Sequence, residues 1–367
     1  MVCKEISSMK KVLCMIDGLG SGGAQRQLVG LASLLKNKGY DVLFVWYNEV
    51  DFYRSYLEEH NVRYEQLTAS NALMKAVKLT IAIIRFNPDA IVAYNYQSSQ
   101  LACCLKILGL KSKIIVSERN MIQSIRCQEK VRFFLYRWAD YIVSNAQAQT
   151  DFINNHFKKL RKKTRTIRNF VDSNYFIPSP SKNIETGNKK ILVVGRIARQ
   201  KNVIAFMQAV RKALDFGACF NVDWYGRVAV SHKDYDNEVK RVYSELELQD
   251  NMNFHQQTHN ILEKYQECDV FCLPSFREGF PNAICEAMSC GKPILCSNIA
   301  DNALLVHDGD NGELFSPSSV DDMADKLISF CKKTREELDK MGEESRKIVL
   351  DKLSEEKFVQ QYISIIE

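Results

Sequence analysis

Short apolar runs alternate with longer amphipathic stretches along this chain, and no other feature restricts its fold so strongly. Lys11 to Ile16, Val42 to Tyr47, Ala90 to Tyr94, Ile114 to Ser117 and Tyr141 to Ser144 are short enough for buried strands. Gln25 to Lys36, Asn71 to Arg85, Gln97 to Leu108 and Glu129 to Trp138 have helical character. Strands spaced by helices pair in parallel through crossovers rather than as hairpins. The pattern then restarts: Lys190 to Val194 is a second first strand, a helix follows over Val203 to Phe216, and Asn221 to Tyr225, Met252 to Phe254, Val270 to Leu273 and Glu313 to Phe315 read as further strands. Ser319 to Lys332 and Glu336 to Lys352 are late helices, and Lys357 to Ile366 a last one. At 367 residues the chain outgrows one ordinary core. Tyr175 to Asn188, with Pro178, Pro180 and Gly187, can continue neither kind of element and marks a junction. The expectation is an α/β chain of two doubly wound parallel-sheet domains, residues 1–178 and 179–350, with 351–367 as a terminal helix.

An apolar content of 46% is that of a soluble globular protein. No apolar run reaches the ~18 residues of a spanning helix, and the start, MVCKEISSMKK, lacks the apolar core of a secretory signal. These features predict a cytoplasmic protein. Its 12 cysteines, scattered through predicted strands and helices, are expected to be reduced and buried. Charge is unevenly spread. Residues 1–180 hold 26 Lys and Arg against 14 Asp and Glu, a net of +12, whereas 181–367 carry 24 against 30. A basic half attracts nucleic acid, an anionic membrane or a polyanionic substrate. The densest basic run, Lys158 to Arg168, has no interleaved aromatics to stack bases, which argues against nucleic acid.

Loops at the carboxyl ends of the strands carry the chemistry. Gly18, Gly20 and Gly23 follow the first strand in the spacing of a dinucleotide fingerprint, and Glu49 after the second strand supplies a candidate ribose ligand. One reading of the chain is therefore an NAD(P)-dependent oxidoreductase. In the second half, Arg196 and Lys201 lie on a loop before a helix and can converge on one anion, the arginine as a fork and the lysine as a point charge. The stretch Cys268 to Asn298 adds a strand, a loop with Ser275, Glu278 and Gly279, and a helix opened by Pro281 and stopped at Gly291. Backbone amides around Phe280 to Ala283 at such a helix start suit a phosphate, and Glu278 and Glu286 suit hydroxyl groups. A phosphate joined to a polyol describes a nucleotide sugar.

Glu278-Gly279-Phe280-Pro281-Asn282, Glu286-Ala287-Met288 and Gly291-Lys292-Pro293 together resemble the donor-site signature of retaining GT-B glycosyltransferases of family 4. Gly195-Arg196 with Lys201 resembles the pair that grips the donor diphosphate, and Gly22-Gly23-Ala24-Gln25-Arg26 resembles the family's first glycine-rich loop on the acceptor side. The match departs from the pattern at Phe170, where glycine is usual, and at His255-Gln256-Gln257, near where the base stacks.

The resemblance implies two Rossmann-like domains facing a cleft, the terminal helix crossing back to the first domain, and a hexosyltransferase that needs no metal or other cofactor. It implies Arg196, Lys201 and Glu278 as catalytic residues, with Glu278 on the donor sugar and Glu286 on the ribose. Ser275, Phe280, Pro281, Asn282 and Ala283 complete the donor site, and Gly22, Gly23, Glu118 and Arg119 are cleft candidates. An ordinary surface ion pair is the plainer reading of Glu118 and Arg119. Asp308-Gly309-Asp310 mimics a metal motif but sits in a polar turn, and no metal is expected there. The acceptor is a saccharide, free or lipid-linked. The basic run and the helix with Arg132, Phe133, Phe134, Tyr136, Arg137 and Trp138 point to an anionic membrane at the inner face of the plasma membrane. The alternative is that the charge serves solubility.

Overall fold

A computed structural model describes residues 9–122, 124–180, 188–228, 233–258 and 260–367. The chain forms two compact units, one running to Phe170 and taking in Glu355–Glu367, the other spanning Val171–Ser354.

In the first unit, β1 (Lys11–Ile16), β2 (Asp41–Trp46), β3 (Arg63–Gln66), β4 (Ala90–Tyr94), β5 (Lys113–Glu118), β6 (Tyr141–Ser144) and β7 (Thr164–Thr166) form one sheet in the order β3-β2-β1-β4-β5-β6-β7. Every pairing is parallel. A parallel sheet is buried on both faces, hence the unbroken apolar runs. Successive residues of β1 serve opposite sides. Val12, Cys14 and Ile16 pack against the helices Gly23–Asn37 and Glu355–Ile366. Leu13 and Met15 face the layer that holds Leu79 and Ile83 of the helix Ala72–Phe86, with Phe133 and Tyr136. The last helix is fixed inside this unit by a hydrogen bond between the buried hydroxyls of Tyr94 and Tyr362, 2.8 Å apart.

The second unit repeats the plan with β8 (Lys189–Val194), β9 (Phe220–Tyr225), β10 (Met252–His255), β11 (Val270–Leu273), β12 (Ile294–Ser297) and β13 (Gly312–Phe315), in the order β10-β9-β8-β11-β12-β13. Again all pairs are parallel. Both sheets turn back at their first strand, so β1 beside β4 and β8 beside β11 are the points where a doubly wound sheet opens a crevice at its carboxyl edge.

Sequence reading missed β3, β7 and β12. The first two are short polar edge strands, and β12 lies within the stretch read as one loop-and-helix unit. The exposure expected of the aromatic and basic helix is corrected. Phe133 and Tyr136 are core residues, so only Phe134 of its phenylalanines is exposed. The run Lys158 to Arg168 divides between a single turn, Lys158–Leu160, and β7, and Lys163 spends its ammonium on the carbonyls of Arg137 and Ala139. Among the described residues no helix is long and apolar enough to cross a membrane. Among the described residues seven cysteines are buried, but Cys127 and Cys219 are exposed.

Candidate functional site

The second unit collects its candidate residues where β8 and β11 end. Two contacts join the loops that leave these strands. The Phe276 N–H donates to the Gln200 carbonyl at 2.9 Å, and Gln200 Nε2 donates to the Arg277 carbonyl at 2.9 Å. A third link is ionic: Lys201 Nζ lies 2.6 Å from Glu278 Oε1, and Ser275 Oγ donates to the same oxygen at 2.6 Å. Lys201 and Glu278 are only 15% and 10% exposed, so their attraction is less damped than that of a surface pair. Arg196 is exposed and, among the described residues, makes no ion pair. The structure thus brings Lys201, Glu278 and Ser275 together and leaves Arg196 outside their hydrogen bonds.

Pro281 occupies the N-cap of the helix Asn282–Ser289 rather than its first turn, and no side chain caps the helix. The Asn282 N–H turns back onto the Phe280 carbonyl at 3.0 Å, and the Ala283 amide behind it lacks an intrahelical acceptor. Phe280 and Ile284 anchor this end in the core while Asn282 and Ala283 are half-buried. Glu286 is 6% exposed and accepts the Tyr265 hydroxyl at 2.8 Å. At the other end Gly291 has φ of +70°, and the Gly291 and Lys292 amides close on the carbonyls of Met288 and Ala287. Lys292 is buried, donating to the carbonyls of Gln266 and Cys268 at 2.9 and 2.8 Å, so its charge holds the scaffold.

Several supporting residues carry no sequence signal. Gln200 is one, because a glutamine in a polar loop looks like any other. Gly226 is a second: a Cβ there would run into the Gly195 carbonyl, which also accepts the Trp224 indole N–H at 2.7 Å. At the ends of β9 and β10, Tyr225 and His255 stack with ring centroids 4.4 Å apart, and His255 Nε2 lies 2.6 Å from Asp223 Oδ1. His255, where the family pattern has glycine nearby, is thus held on two sides. Asp308 Oδ1 accepts the Leu314 amide at 2.8 Å and closes its turn.

In the first unit three amides of the loop after β1 are taken up within the fold. The Gly18, Leu19 and Gly22 N–H groups are bound to Asp17 Oδ1, the Val50 carbonyl and the Gly20 carbonyl. Gly22 is the N-cap and Gly23 the first residue of the helix Gly23–Asn37. Glu118 and Arg119, at the end of β5, are both buried and do not form the surface ion pair of the plainer reading. Glu118 accepts Arg132 Nη1 at 2.9 Å and the Tyr136 hydroxyl at 2.6 Å. Burial pushes its carboxyl above the usual value, with Arg132 and Tyr136 opposing. Arg119 lies 3.9 Å over the Tyr94 ring and donates to the Tyr94 hydroxyl and, at 3.0 Å, to Asn169 Oδ1. Glu118, Arg119 and Arg132 line a cavity of about 460 Å³ together with Asp17, Asn95 and Asn120.

A family described as glycosyl transferases group 1 matches residues 178–348. An uncharacterized glycosyltransferase of Haemophilus influenzae is 24% identical over 87% of this chain and 90% of its own length. The Campylobacter jejuni N-acetylgalactosamine-N,N'-diacetylbacillosaminyl-diphospho-undecaprenol 4-alpha-N-acetylgalactosaminyltransferase is 22% identical over 79% of this chain and 81% of its own. Among solved structures, Anabaena Alr3699/HepE in complex with UDP and glucose superposes with a TM-score of 0.84, 19% identity, and coverage of 97% of this chain and 98% of that one. The oxidoreductase reading of Gly18, Gly20 and Gly23 finds no support in these relatives. The chain has the GT-B fold, with two parallel Rossmann-like units, and its residues 178–348 match the group 1 glycosyltransferases.

Proposed function

We propose that the chain moves a hexose from a UDP- or GDP-sugar, with retention of anomeric configuration and without a metal ion, to a lipid-linked saccharide in bacterial surface polysaccharide assembly. The observation that carries this is the Lys201–Glu278–Ser275 cluster beside the uncapped helix Asn282–Ser289. The bond from the anomeric carbon to the diphosphate breaks, a bond to the acceptor oxygen forms, and the acceptor proton passes to a donor phosphate oxygen. Negative charge grows on the leaving diphosphate, and Arg196, Lys201 and the amides of Phe280 and Ala283 stabilise it. Glu278 holds sugar hydroxyls and Glu286, fixed by Tyr265, the ribose. In the first unit Gly22, Gly23, Glu118 and Arg119 serve the acceptor side.

The Campylobacter relative, whose name specifies a diphospho-undecaprenol acceptor, and the Anabaena structure, whose description names UDP and glucose, support the acceptor and donor classes. The net +12 of residues 1–180 supports work at the anionic inner face of a plasma membrane. Calorimetry tests the reading: UDP or GDP binds and NADH does not, and a panel of nucleotide sugars then names the donor. Activity that disappears in EDTA and returns with manganese overturns the metal-free mechanism.

A further inference from the structure

The helix Ala72–Phe86, with the sequence ALMKAVKLTIAIIRF, packs Leu79, Ala82, Ile83 and Phe86 into the first unit and leaves a second apolar face in solvent. Leu73, Met74, Val77, Ile81 and Ile84 are all exposed, Leu73 by 75% and Ile84 by 67%. Leu73, Val77, Ile81 and Ile84 recur at spacings of four, four and three, so they form one stripe along the outer side. A surface helix normally turns polar residues outward, and a continuous apolar stripe is the mark of a docking face.

The charges choose the occupant. Lys75, Lys78 and Arg85 are this helix's only ionisable residues, and it contains no Asp or Glu. Lys78 beside the stripe donates to the Thr68 carbonyl and has no carboxylate partner among the described residues. Arg85 pairs with Glu65 on β3. A second copy docked about a two-fold axis at the middle of the helix would set Lys78 against its own counterpart, which is repulsive. An anionic bilayer meets both features at once, because acyl chains take the stripe and headgroups take the lysines.

We propose that the helix Ala72–Phe86 is a membrane-docking element that lies in the plane of the interface and inserts Leu73, Val77, Ile81 and Ile84 among the lipids. This names the surface by which the lipid-linked reading above would be served, and it rests on that reading for its purpose. Its test reads lipid binding alone.

The full chain is sedimented with vesicles of phosphatidylcholine mixed with phosphatidylglycerol and with vesicles of phosphatidylcholine alone. Recovery is expected on the anionic vesicles and should persist in part at high salt, since buried apolar area is not screened. Ile81→Ser and Ile84→Ser should each lower partitioning about tenfold while the melting temperature stays unchanged, and Ile81→Trp should show blue-shifted emission when anionic vesicles are added. Recovery of the Ile81→Ser/Ile84→Ser protein equal to the parent, or no parent recovery on anionic vesicles, overturns the proposal. So does a parent dimer in ultracentrifugation that the serine variants convert to monomer. UDP and GDP binding, measured by calorimetry on the same proteins, reports separately on the transferase reading.

Discussion

Lys201 and Glu278, separated by 77 positions in the chain, meet at 2.6 Å on the loops that follow β8 and β11. Each neutralises the other in a partly desolvated site, so neither acts as an independent charge. The first prediction is therefore coupling. Lys201→Ala should lower turnover on the order of 10² to 10³ and weaken nucleoside diphosphate binding. Glu278→Gln should lower turnover while leaving that binding closer to the parent. In a double-mutant cycle the double variant should lose less than the sum of the two single losses. Strict additivity would show that the ion pair has no bearing on the reaction.

Tyr265→Phe should release one donor from the buried carboxylate of Glu286 without changing the ring that packs around it. A buried acceptor that loses a partner costs about 1 to 3 kcal/mol. Denaturant unfolding should show that loss, and affinity for the nucleotide should fall with it. An unchanged affinity in a destabilised protein would confine Tyr265 to a structural role.

Gly226→Ala should place a methyl group against the Gly195 carbonyl. Backbone cannot rotate away as a side chain can, so the overlap should cost about 1 to 3 kcal/mol and shift the loop that carries Arg196 and Lys201. Reduced thermal stability together with weaker UDP binding is the expected pair of results. Normal values of both would mean that the sheet edge yields freely.

The pH dependence of stability follows from Glu118. Burial raises its carboxyl above the ordinary value, and the charge of Glu129 adds to this, while Arg132 and Tyr136 oppose. A carboxyl that holds its proton more tightly folded than unfolded stabilises the fold below the unfolded value, and that contribution is lost as pH rises through the folded one. Glu118→Gln removes the titration and keeps the shape. Its melting temperature should fall less than the parent's as pH rises from the ordinary carboxylate range toward neutrality. Parallel curves would contradict this assignment.

The sequence by itself determined the class of the fold. Unbroken apolar runs such as Val12 to Ile16 and Val270 to Leu273 are needed only by strands buried on both faces, and helical stretches between them force parallel crossovers. The punctuation of the helix Asn282–Ser289 was also legible, because Pro281 and Gly291 impose backbone geometry locally. Short polar edge strands such as Arg63–Gln66 carry no such signature.

Partnership was decided by tertiary structure alone. Glu118 and Arg119 are neighbours in sequence and part company in space, one to Arg132 and the other to Tyr94 and Asn169. Lys201 finds Glu278, and Lys292 is buried on two carbonyls. Ile84 is exposed, against what its hydropathy suggests. The physical reason is common to all of these. Propensity and capping act over a few residues and are written in order along the chain, whereas a charge or an apolar face is defined by whatever the folded sheet brings opposite it.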